Sequence, residues 1–151
     1  MNIRNKKRGY TLAELTVVLA VLVIVSAMVV SFAAMTSNSR RISEARLEAL
    51  QDIRVAEAII ENFIEGKSSI TMNAEKTTLT DNENKTLSFN TDNKEITVDN
   101  ETKYTLERVK SITFDYYGNG AEKIYYCTIT YMVGNQEYNY TFCVISYASG
   151  I

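Results

Sequence analysis

Between Tyr10 and Glu65 the chain contains neither proline nor glycine, and its first half there is apolar almost without interruption. That combination leaves few folds open. With no helix breaker, residues 10–65 are predicted to form one helix, which at 1.5 Å per residue would run roughly 80 Å. The portion from Leu15 to about Met35 is apolar all round and long enough to cross a bilayer. The second portion turns amphipathic, with Ile42, Ala49, Ile53, Ala56, Ile60 and Phe63 at alternating steps of three and four. Glu44, Glu48, Asp52 and Glu61 are expected on the opposite, solvated side. Gly66 supplies a stop signal.

One residue conflicts with this pattern. Glu14 places a carboxylate a few positions into the apolar run, where a charge costs roughly 2.5–3.5 kcal/mol even on permissive insertion scales. Upstream lies a basic leader, Arg4, Lys6, Lys7 and Arg8, and then Gly9-Tyr10-Thr11-Leu12-Ala13-Glu14. This segment resembles the processing segment of type IV pilins and pseudopilins. The resemblance covers about the first quarter of the chain. It implies that a membrane peptidase, which is also the methyltransferase, cuts between Gly9 and Tyr10 and N-methylates Tyr10. It further implies that Glu14, five residues after the cut, pairs during assembly with the Tyr10 amine of a neighbouring subunit. Opposite charges attract far more strongly in low dielectric than in water, and removing either would strand the other.

Two departures from the family stand out. Its first mature residue is usually Phe or Met, where this chain has Tyr10. Many major members carry a proline about one third along the helix, where Ser31 stands, so no proline kink is expected there. Ordinary export signals compete with this reading, because basic residues ahead of an apolar run also describe a secretory signal peptide. Ser31-Phe32-Ala33 offers a small-x-small cleavage site that would leave a chain starting at Ala34. A plain signal anchor is the other competitor. Neither accounts for an acid at the start of the run.

Charge sets the orientation. The formal net charge is −2, and removing the four basic leader residues leaves 12 basic against 18 acidic side chains, a net −6. The leader is expected to stay cytoplasmic and the rest to lie outside. The acidic remainder argues against direct nucleic-acid binding, which needs clustered Lys and Arg.

Beyond Lys67 the sequence breaks into short β segments. Ile70 and Met72 begin them. Thr86–Phe89 and Glu95–Val98 alternate around the turn Asn90-Thr91-Asp92-Asn93 and read as a hairpin. Tyr104 and Leu106 suit a short edge strand, and Ser111–Tyr116 is another strand, closed by Gly118-Asn119-Gly120. Lys123–Val133 and Gln136–Tyr147 form the clearest pair, joined at Gly134-Asn135. With that turn, Tyr131 faces Tyr138, Ile129 faces Tyr140 and Cys127 faces Phe142, giving an apolar face to cover the helix stripe. Thr128, Thr130, Asn139 and Thr141 would face water. The many tyrosines here exceed what a core can hold. Cross-strand packing explains most of them, and a subunit contact or adhesive patch is the alternative.

Cys127 and Cys143 are a candidate disulfide, since an exported domain permits one. The two-residue turn would put their sulfurs on opposite sheet faces. A three-residue loop, Gly134-Asn135-Gln136, would set them directly across from each other. The two arrangements exclude one another. With no His and two Cys, a zinc site is not expected. Asp81, Glu83, Asp92, Asp99 and Glu101 cluster in turns. The resemblance to pseudopilins, some of which bind calcium, makes them a candidate calcium site. Their spacing follows no recognised loop pattern and solvated turns are the favoured reading, so no metal is assigned. No cofactor is expected, and no catalytic residue stands out: there is no histidine general base, phosphate loop or nucleophile elbow.

The sequence thus predicts an α+β fold, a long N-terminal helix packed on an antiparallel β meander, which matches the pilin roll. Its organisation is a leader 1–9, a membrane and assembly half 10–35, an amphipathic half 36–66 and a β head 67–151. The expected protein is a structural subunit, not an enzyme. It would be a single-pass membrane precursor with its head outside the cytoplasm, later part of a cell-surface or periplasm-type filament, a pilus or a secretion or competence pseudopilus. Its implied partners are the peptidase, the membrane, other pilin-like subunits, and an assembly motor with its platform proteins. The alternative is a monomeric anchored or secreted binding domain with a tyrosine-rich sheet.

Overall fold

The computed structural model describes residues 11–65, 67, 69–118 and 122–147. Its elements are one helix, α1 (Leu12–Ile64), followed by eight strands: β1 (Ile70–Met72), β2 (Thr78–Asp81), β3 (Thr86–Asn90), β4 (Glu95–Val98), β5 (Glu101–Thr105), β6 (Val109–Tyr117), β7 (Glu122–Val133) and β8 (Gln136–Tyr147). The chain divides into two compact units, Met1–Arg41 and Ile42–Ile151.

In the first unit every side chain of α1 from Leu12 to Met35 is exposed. By length and composition this helix can cross a membrane. Three of its hydroxyls, those of Thr16, Ser31 and Thr36, are satisfied within the helix. Thr16 donates to the carbonyls of Leu12 and Ala13, both at 2.9 Å, Ser31 to Ala27 at 2.9 Å and Thr36 to Phe32 at 2.9 Å. Such back-bonding leaves these side chains with partners that need no water, as a bilayer requires. The helix runs through Ser31 without interruption, as the absence of proline predicted.

The second unit holds the core. Ile53, Ala56, Ile60, Phe63 and Ile64 of α1 pack against two sheets. The first sheet has strand order β1-β2-β3-β4-β5 and the second β6-β7-β8, with every neighbouring pair antiparallel. Leu79, Leu87 and Ile96 bring the first sheet to the core. Ile112, Phe114, Tyr125, Cys127 and Ile129 bring the second. The predicted stripe is correct at Ala49, Ile53, Ala56, Ile60 and Phe63, all buried. Ile42 is instead 47% exposed, and Ala45 takes the buried position in its place.

The single meander expected for the head is in fact two. The chain leaves the first sheet after β5 through Leu106-Glu107-Arg108, where the Leu106 N–H donates to the Lys94 carbonyl at 2.7 Å and the Val109 N–H to Leu106 at 3.1 Å. That turn starts a new sheet. Two tight hairpins fix registers by backbone sign. Asp99 and Asn100 both have positive φ (55° and 63°), joining Val98 to Glu101. This is the type I′ pattern, which Asp and Asn tolerate. Gly134 has φ +61° between Val133 and Gln136, at the position where a type II′ turn requires glycine.

The short turn settles the cysteine alternatives. Cys127 pairs with Phe142 and Cys143 with Tyr126, so the sulfurs lie on opposite faces of the sheet. Both thiols are free, Cys127 buried and Cys143 exposed. The candidate Cys127–Cys143 disulfide is therefore corrected: it needed the three-residue loop, and Gly134 closes the hairpin in two.

Candidate functional site

The start of α1 is built as a reciprocal cap. Thr11 stands just before the first helical residue, and its carbonyl accepts the Leu15 N–H at 3.1 Å. The Glu14 N–H donates to Thr11 Oγ1 at 3.3 Å. In return the Thr11 N–H and Oγ1 hydroxyl both donate to Glu14 Oε2, at 2.9 and 3.1 Å. This is a capping box, with Thr at the cap and Glu three residues on. The positive end of the helix dipole adds to it, since a carboxylate in the first turn is favoured there. Glu14 is thus not a bare charge. Among the described residues, no donor reaches its Oε1. The pattern Thr-x-x-Glu was visible in the sequence as a cap signal, and the expectation of an intermolecular partner passed over it. Gly9 and Tyr10, the expected cut and methylation positions, lie outside the described residues, as does Gly66.

A second polar constellation fastens α1 within the head. Asp52, expected on the solvated side, is 9% exposed. Its Oδ2 accepts the Arg108 backbone N–H at 2.8 Å. The Arg108 side chain then reaches Glu48, with Nε at 2.9 Å and the ion pair closing at 2.5 Å. Burial raises the Asp52 carboxyl above its usual range. The Arg108 N–H opposes that shift without cancelling it, and Glu107 adds repulsion. No sequence pattern announces this contact, which joins residues 56 positions apart.

Asp81 shows the opposite balance. Its side chain is fully covered, and Oδ1 accepts the N–H groups of Glu83 and Lys85 at 2.8 and 2.9 Å. Oδ2 meets Lys67 Nζ at 2.9 Å. That contact is an ion pair without the alignment of a hydrogen bond. Burial pushes this carboxyl up, but Lys67 and the two backbone donors outweigh it and hold it below its ordinary range. Asp81 therefore orders the β2–β3 turn.

The other turn acids do not gather around it. Glu83 pairs with Lys85 and Glu101 with Lys103, both at 2.8 Å and well exposed. Among the described residues, no group of three or more Asp, Glu, Cys or His side chains is arranged to hold a metal.

The tyrosines separate into two roles. Tyr125 is buried and its hydroxyl donates to the Ile70 carbonyl at 3.1 Å. Tyr131 stacks on its cross-strand partner Tyr138 at 5.7 Å, and Tyr140 stacks on Phe142 two residues along the same strand at 5.9 Å. Tyr140 also donates to Glu57 at 3.2 Å. Tyr117 remains 75% exposed and Tyr126 42%. The thiol of Cys127 is pushed up to about 12, chiefly by burial and then by Cys143 and Glu61, so it is chemically inert.

No curated protein and no solved structure matches the chain. Residues 4–30 match the model of the prokaryotic N-terminal methylation motif. That interval includes Gly9, Tyr10, the Thr11–Glu14 cap and most of the exposed apolar helix. The chain therefore carries, at its N-terminus, the methylation motif that is the signature of type IV pilins and pseudopilins.

Proposed function

We propose that this protein is a type IV pilin-like structural subunit, made as a membrane-inserted precursor and assembled into a pilus or a secretion or competence pseudopilus. The methylation motif at residues 4–30, which runs into a helix able to cross a membrane, is the observation that carries this reading. In it, the peptidase and methyltransferase cuts between Gly9 and Tyr10 and methylates the new amine, while the leader stays cytoplasmic and the head lies outside.

Physical chemistry supplies the reason to assemble. The apolar surface of residues 12–35 is far larger than a soluble monomer can expose. Lipid covers it before assembly, and neighbouring helices cover it afterwards. Glu14 then takes the Tyr10 amine of the adjacent subunit, two charges that neutralise each other where water is scarce. An assembly motor and platform outside this chain would drive the transfer. The role is mechanical, and no catalytic residue is assigned.

Substituting Glu14→Ala tests the reading. Incorporation into filaments should fail while the precursor still inserts in the membrane. Normal incorporation would refute the role given to Glu14. Were the wild-type chain found only as anchored monomers, the alternative binding domain would replace the filament reading, with exposed Tyr117 and Tyr126 as its contact surface.

A further inference from the structure

We infer that the outer edge of β8 docks a second copy of this chain, β8 pairing antiparallel with β8 in a register centred on Phe142. The parity of the hairpin decides which backbone groups are free. Gly134 closes it in two residues, so Val133–Gln136 is a hydrogen-bonded pair, and so is every second pair after it down to Cys127–Phe142. Strand β6 agrees from the other side. The Phe114 N–H is spent on the Lys76 carbonyl at 2.7 Å and so is not given to its pair mate Cys127. The backbone N–H and C=O groups of Glu137, Asn139, Thr141, Cys143, Ile145 and Tyr147 therefore point away from β7. The first five of these residues are exposed. Among the described residues, no other backbone group bonds to that edge. Helix α1 meets β8 through its face, where Tyr140 donates to Glu57, and leaves the edge open.

The other sheet edges are guarded, as edges in natural proteins usually are. Strand β1 has only three residues. Strand β5 is offset by a bulge against β4 and carries the exposed Glu101–Lys103 ion pair. Strand β6 has a register shift at Val109–Ser111, its Phe114 N–H is already bonded, and Asp115 on it pairs with Lys76. Strand β8 has none of these devices. It runs through 12 residues in unbroken register, and its one charged residue, Glu137, is already paired with Lys110 at 2.6 Å. A long, regular, nearly uncharged edge is a template for another strand.

The sequence of β8 fits itself. Centred on Phe142, an antiparallel partner sets Thr141 opposite Cys143, Asn139 opposite Ile145 and Glu137 opposite Tyr147. All six outward residues of each copy then donate once and accept once, closing twelve hydrogen bonds. Sliding one strand by two residues in either direction leaves an outward residue on each copy without a strand partner. On the face towards α1 the same register sets Phe142 against its own copy and Tyr140 against Val144, aromatic and apolar cross-strand pairs of the kind that stabilise sheets. The exposed rings of Tyr138 and Tyr140 would be covered there. The two Glu137 carboxylates fall ten residues apart, roughly 34 Å at 3.4 Å per residue, where salt screens them. A two-fold contact closes on itself. It joins heads in pairs and leaves any repeating filament contact to other surfaces, so it stands or falls separately from the filament reading.

The test uses the full chain in detergent, with sedimentation velocity over a range of protein concentrations and oxidation by copper phenanthroline. Wild type should dimerise reversibly. Thr141→Cys should cross-link to Cys143 of the second copy, because their Cα atoms would stand about 5.5 Å apart, inside the roughly 4.4–6.8 Å that a disulfide spans. Adding Cys143→Ser to that variant should abolish the link. Thr141→Pro removes one outward N–H from each copy and spares the ladder to β7. It should weaken dimerisation roughly thirtyfold, the net value of two backbone hydrogen bonds. Thr141→Lys keeps every N–H but puts a charge on the edge. It should also weaken dimerisation, and it decides the matter if the proline variant fails to fold. Three results would each overturn the inference: wild type monomeric at every concentration, a Thr141→Cys link that survives Cys143→Ser, or a folded Thr141→Lys variant that dimerises as tightly as wild type. The last would place the contact on the exposed apolar helix instead.

Discussion

Replacing Asp52 separates the value of its hydrogen bond from the cost of its charge. The carboxylate accepts the Arg108 N–H at 2.8 Å in a site where it is 9% exposed. Its pKa is raised, chiefly by burial. A raised folded-state value means the folded protein binds that proton more tightly than the unfolded chain. Stability from this group is therefore fully present below its ordinary value of 3.8. It is lost as pH rises through the window above that value, and above the window the charge is a net burden. Asp52→Asn keeps an acceptor oxygen and removes the charge. At pH 7 the Asn variant should be as stable as wild type or slightly more so, and the two should converge in acid. Asp52→Ala removes the acceptor and leaves the Arg108 N–H buried without a partner, a loss of about 1–3 kcal/mol. With a urea m-value of roughly 1–1.5 kcal/mol/M, that loss lowers the unfolding midpoint by about 1–2 M. The assay is urea unfolding of the detergent-solubilised chain, followed by tyrosine fluorescence at several pH values. An Asn variant as unstable as the Ala variant at pH 7 would refute this reasoning, because it would make the charge itself the stabilising element.

Other substitutions address the remaining elements. Asp81 is held below its ordinary range, so its stabilisation is present above 3.8 and is lost as pH falls through the lower folded-state value. Asp81→Asn should accordingly destabilise at pH 7, and the difference from wild type should shrink in strong acid, as seen in the same unfolding curves. Cys143 should react with a maleimide on the folded protein while Cys127 waits for unfolding, and mass spectrometry of labelled peptides would read this directly. Equal labelling, or a bridge between the two after mild oxidation, would contradict the β7–β8 register. Gly134→Ala should lower stability by about 1–2 kcal/mol. Its φ of +61° strains any side chain, and the space around its Cβ position is empty, so no clash adds to that strain.

The helix, the hairpins and most of the core stripe were legible because each depends on local periodicity or local turn chemistry. The apolar pairing of Cys127 with Phe142 followed from a two-residue turn at Gly134, and the structure adopts it. Strand β2 was missed because Thr78-Leu79-Thr80-Asp81 is only four residues long and shows one apolar side chain between polar ones. The division into two sheets depends on a turn at Leu106–Val109 whose fastening to Asp52 is non-local. Asp52 itself was misplaced for the same reason, since a charged residue beside a helix stripe reads as solvated until its distant partner is known. At the N-terminus, Thr11 carried a cap signal that only the helix start made plain.

Whether the exported form begins at Tyr10 is the most direct question to put to this account. The intact mass of the chain recovered outside the cytoplasm should correspond to loss of residues 1–9 and gain of one methyl group, with the same species present in sheared filaments. A chain that still carries Met1, or one that starts at Ala34 as an ordinary secretory signal would leave it, would contradict the account at its root.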